Sequence, residues 1–277
     1  MNDRYTRDLT DEQWDLIRQF LPTEQDGPGR PMELQPREVV NAILYIVRTG
    51  CQWDNLPNDL PNANSVYYHY RNITTENGVS MALGARSIKR FAKRSAPTVA
   101  EILSPLAELL TVKASRQQNL GARESGGERG YDAGKGVWGR KRHVIVDTVG
   151  NVLDVVVHAA DIQDRDQDRD GARLLFKRLW EETQDKIQKI WADGACRGDL
   201  IDWVQESLDA VLDVVERDED QDGFEVLPRR WVVERTFAWL GRYRRLSKDY
   251  ERCTRSSEGV IYIASIQTMA KRIAASN

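Results

Sequence analysis

Between residues 9 and 71 the apolar positions recur at helical spacing. Trp14, Ile17 and Leu21 follow Thr10, whose hydroxyl can cap a helix with Gln13 at the capping-box distance, and Pro22 is the predicted stop. Val40, Ile43, Leu44 and Val47 share one face of a helix predicted over Arg37–Thr49, ended by Gly50. A third helix is predicted from Asn64 to Arg71, with Tyr67, Tyr68, Tyr70 and His69 upon it. Three short helices in succession suit a helix-turn-helix module, a common pattern and by itself a weak signal. Residues 72–113 alternate least clearly; Val99–Val112 is an apolar helix-like run, and Arg116–Gly130 reads as a polar loop.

After Gly139 the period changes. Arg140–Asp147 and Asn151–His158 read as two strands of a hairpin turning at Val149-Gly150-Asn151. Helices and strands then alternate: a helix over Asp170–Glu182, a strand over Lys186–Trp191, a helix over Gly198–Leu208, a strand over Ala210–Val215 and a helix over Val232–Leu246. That order predicts an α/β class, a mixed sheet with helices on its faces.

Composition narrows the class. The chain has 277 residues, 40% hydrophobic and 30% charged, which excludes disorder and a fibrous protein. No apolar run reaches the length of a membrane span, and no apolar segment marks a secretory signal at the start. Cys51, Cys196 and Cys253 lie far apart without paired spacing, which favours a reducing compartment over a disulfide or zinc framework. The net charge of −3 advertises no polyanionic partner, but its distribution is uneven. Six carboxylates crowd Asp213–Asp222, whereas Arg229–Arg252 holds eight basic residues among Trp231, Phe237, Trp239 and Tyr243. Such a stretch suits phosphate neutralisation with stacking, and equally a solvated helix with an aromatic inner face.

Three carboxylates have settings that could carry chemistry. Asp193 follows an apolar strand and precedes Gly194, Asp147 closes the first hairpin strand, and Glu234 lies on an apolar helix between Arg230 and Arg235. Acidic side chains converging from two strands and a helix make a hard-oxygen site for Mg²⁺, and a pair of such ions drives phosphodiester chemistry. Taken singly, a strand-end Asp is more often a cap or turn residue, and Glu234 could simply pair with Arg230 one turn earlier. His143 and His158, opposed across the hairpin, lack a third ligand and read as structural.

Several runs in order then carry a resemblance. Gly130-Tyr131-Asp132-Ala133-Gly134-Lys135, Gly139 through Thr148, Val157 through Asp166, Trp191-Ala192-Asp193-Gly194 and Leu227 through Glu251 resemble the DDE transposases of the bacterial IS5 (IS4/IS5-like) insertion sequences. Leu9-Thr10-Asp11-Glu12-Gln13-Trp14 and Tyr45 through Trp53 resemble that family's N-terminal helical domain. The resemblance implies a helical DNA-binding domain over 1–75, a divergent connector over 76–110 and an RNase H-like catalytic domain over 111–277. It implies two Mg²⁺ ions, with Mn²⁺ able to substitute, that serve strand cleavage and transfer. By motif Asp193 is similar to the second Asp of the triad and Glu234 to its Glu. Glu108, four residues before Val112, stands where the first Asp belongs, and Asp147 on the neighbouring strand is its rival. Arg230 fits the Arg-x-x-x-Glu pattern, while the usual Lys seven residues beyond the Glu is Gly241, beside Arg242. The implied partner is double-stranded DNA, terminal inverted repeats and target, with phosphate contacts from Arg230, Arg242, Arg244, Arg245 and Lys248. Synapsis implies a homo-oligomer in the bacterial cytoplasm, at the nucleoid when bound and without a membrane. The alternative is a catalytically inactive remnant that only binds DNA.

Overall fold

The computed structural model describes residues 5, 8–19, 21, 34–74, 115–116, 129–132, 136–161, 171–178, 180, 187, 189–192, 196–215 and 230–275. Helix α1 (Asp11–Arg18) is capped as predicted: Thr10 Oγ1 accepts the Gln13 amide at 3.3 Å. Helix α2 (Pro36–Thr49) gains Pro36 at its first turn and stops at Gly50, which takes φ +71° and returns its amide to Ile46 O. A 3₁₀ turn (Trp53–Asn55) precedes α3 (Ala63–Thr74). The connection from α2 to α3 runs from Gly50 to Asn62, longer than the short turn of a helix-turn-helix.

The sheet is centred on β3 (Val137–Val146). It pairs antiparallel with β1 (Ser115–Arg116), β2 (Gly130–Asp132) and β4 (Val152–Ala159). The β3–β4 hairpin is the one expected from the alternation, with Gly150 at φ +83° in its turn. A second pair, β5 (Lys189–Ala192) and β6 (Val211–Val214), is parallel and joined through helix α5 (Asp199–Leu208); helix α4 covers residues 171–178. The predicted helix over Val232–Leu246 is corrected to α6 (Arg230–Leu240). Past Gly241 the chain turns, and Arg244–Leu246 forms a 3₁₀ turn that lets Tyr243 bury against Arg48. Helix α7 (Thr254–Ala274), the longest described, had no counterpart among the predicted elements.

Strand alternation divides the interior in two. Val144, Val146, Val152, Val155 and Val157 pack on α6, α7 and the helices α1–α3. Ile145 and Val156 point the other way, onto Ala172, Leu175 and Phe176 of α4 and onto α5. β5 divides similarly, Trp191 into the first cluster and Ile190 and Ala192 into the second. The N-terminal helices therefore share one core with α7 and the sheet. α7 also closes the outer edge of β4: the Val155 amide donates to Tyr262 Oη at 3.2 Å and the Val157 amide to Glu258 Oε1 at 2.9 Å. An edge strand whose amides are occupied in this way is protected from pairing with another chain.

Candidate active site and DNA-contacting segment

Helix α6 is built from an inner face of Val232, Val233, Thr236 and Leu240, all buried, and an outer face with Trp231, Glu234 and Ala238 exposed. It docks on the β3–β4 turn through glycine. Thr236 Oγ1 donates to Gly150 O at 2.8 Å, and a Cβ on Gly150 would stand 2.8 Å from that hydroxyl. Arg235 Nη2 donates to Val149 O at 3.0 Å. Its guanidinium lies between Trp231 and Trp239, 4.4 and 4.8 Å from the ring centres, and Arg272 covers Trp239 at 4.7 Å. A ladder of two indoles and two guanidiniums thus fixes the helix that offers Glu234. Arg272 also reaches the turn itself, donating from Nη1 to Asn151 Oδ1 at 2.8 Å.

Asp147 sits in that turn, and its carboxylate is already engaged. Oδ1 accepts the amides of Val149 (3.0 Å) and Asn151 (2.8 Å), and Oδ2 accepts Asn151 Nδ2 at 2.7 Å. Burial pushes its pKa up, outweighing these hydrogen bonds and the pull of Arg272. Asp193 is the residue after β5, and Asp193 and Glu108 both lie outside the described residues. Among the described residues no three His, Cys, Asp or Glu side chains converge as a metal centre.

The basic candidates separate into two groups. Arg242 and Arg244 are exposed and Lys248 is half-buried. Arg245 is buried: its Nε donates to Glu251 Oε1 at 2.7 Å, its Nη1 to Cys51 O at 3.3 Å, and its guanidinium covers Trp53. Arg230 opens α6, and its side chain lies outside the described set. Glu251 also accepts Tyr70 Oη of α3 at 3.1 Å. Arg140 of β3, 1% exposed, completes this junction: Nη1 donates to Asp249 Oδ2 (2.9 Å) and Glu251 O (3.0 Å), and Nη2 to Arg252 O (3.0 Å). Sequence reasoning missed these roles, because a buried arginine and a phosphate-binding one look alike in a row of letters. The one available signal was the nearby acidic pair Asp249 and Glu251.

His143 and His158 do stack, with ring centres 4.7 Å apart and Nε2 atoms 2.6 Å apart. Burial first, then His158 and Lys141, hold the His143 pKa down to about 3. The histidine is neutral at physiological pH and belongs to the core.

An α/β sheet carries, on one face, a helix that bears an exposed carboxylate together with the N-terminal helical module, and the family comparisons define the class. Residues 111–268, more than half of the chain, match the family model described as "Transposase DDE domain". Residues 9–82 match the transposase model of the IS4/5 family (DUF4096), so the chain belongs to the IS4/IS5-family DDE transposases. "Uncharacterized protein y4sN" of Sinorhizobium fredii is 34% identical over 62 residues, 22% of this chain and 49% of that protein. The chain thus spans about half the length of the curated relative it matches. No solved structure matches it. No helix among the described residues is long and apolar enough to cross a membrane.

Proposed function

We propose that this transposase cuts and joins DNA at the ends of its insertion sequence, with Asp193, Glu234 and Glu108 as the acidic triad of an RNase H-like domain. The observation that carries the choice is the exposure of Glu234 on a helix clamped to the sheet by Thr236, Arg235 and the indole ladder. A carboxylate on a rigid element keeps its geometry, which two-metal chemistry requires. Glu108 is preferred over Asp147 because Asp147 already accepts three hydrogen bonds within its turn, with Arg235 and Arg272 beside it.

Two Mg²⁺ (or Mn²⁺) ions held by these carboxylates would acidify the attacking water or 3′-hydroxyl and neutralise the phosphate in flight. The chain's own part is to hold the duplex. Arg242, Arg244 and Lys248 supply outward cations for backbone phosphates, and Arg230 joins them by its place in the motif. Arg245 holds the fold together instead. Binding of terminal inverted repeats, target capture and synapsis by two or more copies belong to this reading.

The experiment is cleavage, with Mg²⁺ or Mn²⁺, of DNA carrying the ends of the encoding element. Asp193→Ala and Glu234→Ala should each lower the rate about a thousandfold or more while leaving DNA binding intact. Glu108→Ala should match them, and Asp147→Asn should not. The second reading, a remnant that binds ends without cutting, rests on Glu108 standing in place of Asp. Binding by the wild-type chain without cleavage in either metal would establish that reading and reject the first.

A further inference from the structure

The hairpin of β2 and β3 lies at the end of the sheet away from Gly150, and it turns two large side chains to solvent. Tyr131 of β2 stands directly opposite Trp138 of β3, with ring centres 5.8 Å apart. Tyr131 is 43% and Trp138 58% exposed, although an aromatic pair of this size carries much area that folding ordinarily covers. Trp138 and Val146 stand about 26 Å apart along β3, so the pair is remote from the turn on which α6 docks. We propose that Tyr131 and Trp138 form a stacking platform for unpaired nucleobases and that its ligand is single-stranded DNA. The inference rests on the DNA-end function above for the source of the strand.

The surroundings of the pair set the kind of partner. Arg129, next to β2, and Arg140 of β3 both donate to Glu251 O, at 2.8 and 3.0 Å, so their side chains share one face of the hairpin. Two residues along each strand, the same face carries Tyr131 and Trp138. Residues 249–252 therefore cross the foot of the platform, tied again by Arg140 Nη2 to Arg252 O at 3.0 Å. This segment brings Tyr250, 52% exposed, and the exposed Arg252. Its carboxylates, Asp249 and Glu251, are buried and bonded to Arg140 and Arg245. The charge it exposes is therefore positive. Asp132 is buried, and Asp161 packs where a Cβ on Gly130 would project, on the opposite face of β2. Aromatic rings with a cation beside them are what single strands bind: every base offers a π face, and the backbone phosphate takes the guanidinium. A duplex keeps those faces inside its own stack and gains nothing from the platform. An isologous contact with a second copy would bring two positive patches together, which a phosphate chain does not.

The test uses the full chain and a labelled oligothymidylate of about twenty nucleotides, beside a duplex of the same length, with binding read by fluorescence anisotropy. Trp138→Ala should weaken single-strand binding about tenfold and Tyr131→Ala about fivefold, with duplex affinity held within about twofold and melting unchanged. Trp138→Phe keeps a ring and should retain most of the affinity. Arg252→Ala should lower the slope of log single-strand affinity against log salt by about 0.7. An abasic strand of the same length should bind the wild type and Trp138→Ala equally. Equal thymidylate binding by the wild type and both alanine variants overturns the inference, as does an abasic strand that binds the wild type as tightly as thymidylate. An oligouridylate that competes about tenfold better than thymidylate moves the ligand to RNA and overturns the assignment to DNA. Altered sedimentation of Trp138→Ala with strand binding unchanged makes the face a contact between copies and overturns it too. Loss confined to the single strand leaves the DNA-end function standing, whereas a wild-type chain that binds neither form overturns both.

Discussion

The outward face of α6 and the segment that follows it are written in the same alphabet of arginine, aromatic and acidic residues, yet they fold to opposite ends. On α6, Glu234 and Trp231 are exposed and the guanidinium of Arg235 is stacked between two indoles. In residues 243–251, Tyr243, Arg245, Asp249 and Glu251 are buried and paired. The difference lies in partners rather than composition. α6 has the sheet on one side only, so its polar residues remain outside. The later segment lies where α2, α3 and β3 all meet it, so its charges are enclosed and must satisfy one another. A basic run is thus no guide to a phosphate-binding surface until its neighbours are known.

Breaking the enclosed side should cost most. Arg140 and Asp249 form an ion pair in which both side chains are 1% exposed. Arg140→Ala would strand a buried carboxylate, and we expect a loss of about 3–5 kcal/mol in urea unfolding, enough to deplete folded protein. Arg245→Ala should cost somewhat less, about 2–4 kcal/mol, because the Arg245–Glu251 pair is 9% exposed on both sides. Either loss confined to a few tenths of a kcal/mol would mean that the junction is not what ties the helices to the sheet.

The next effect is a pH dependence. Burial raises the Glu258 pKa from 4.5 to about 7, against the Val157 amide, Arg178 and Arg255, and with the help of Asp154. Between about pH 4.5 and 7 the unfolded chain has released this proton while the folded chain keeps it, so stability falls as pH rises. The full loss is about 3 kcal/mol. His143 acts oppositely: its folded pKa of about 3 lies below 6.5, so its contribution rises as pH climbs across that interval. The two slopes oppose each other between about pH 4.5 and 6.5. Glu258→Gln should remove one of them, leaving stability that increases toward neutrality and exceeds wild type at pH 8. A variant whose melting curves track the wild type at pH 5, 6.5 and 8 would show that Glu258 titrates normally.

How much of this was legible beforehand depended on whether the signal was local. The caps at Thr10 and Gly50, the hairpin turn at Gly150 and the β5–α5–β6 unit all follow from short-range rules, and they appear as read. α7 went unread because Val260, Ile261, Tyr262, Ala264, Met269 and Ala270 are buried around most of its circumference, leaving no polar face to mark a period. The end of α6 was misplaced because Arg242–Leu246 continues a helical composition, while the stop comes from Gly241 and the burial of Tyr243. Of the candidate triad, Glu234 was chosen from its motif, and it stands exposed on α6. The competition between Glu108 and Asp147 could not be weighed in the sequence, since the hydrogen bonds that occupy Asp147 arise only when the turn closes.

That competition supplies a smaller and more discriminating prediction. Asp147→Ala removes the acceptor for two backbone amides and the Asn151 side chain, so the turn should loosen by about 1–2 kcal/mol. Asp147→Asn keeps a carbonyl oxygen for the amides and should cost under about 1 kcal/mol. If Asp147 is only a turn residue, metal-dependent cleavage by Asp147→Asn should stay within a few-fold of wild type. A thousandfold loss with unchanged melting would instead make Asp147 the third carboxylate and free Glu108 from that role.

The smallest effect on stability sharpens the comparison from its exposed side. Arg242→Ala and Lys248→Ala should each change the unfolding free energy by no more than about 0.5 kcal/mol, because neither side chain is buried. Their consequence should appear in the salt dependence of DNA binding, each lowering the slope of log affinity against log salt by about one. Arg245→Ala should leave that slope alone at any temperature where the chain remains folded, since its charge is spent on Glu251. Titrations from about 50 to 200 mM salt decide the matter. A slope that falls for Arg245→Ala and not for Arg242→Ala would reverse the assignment, placing the phosphate contact on the buried residue and leaving the exposed ones idle.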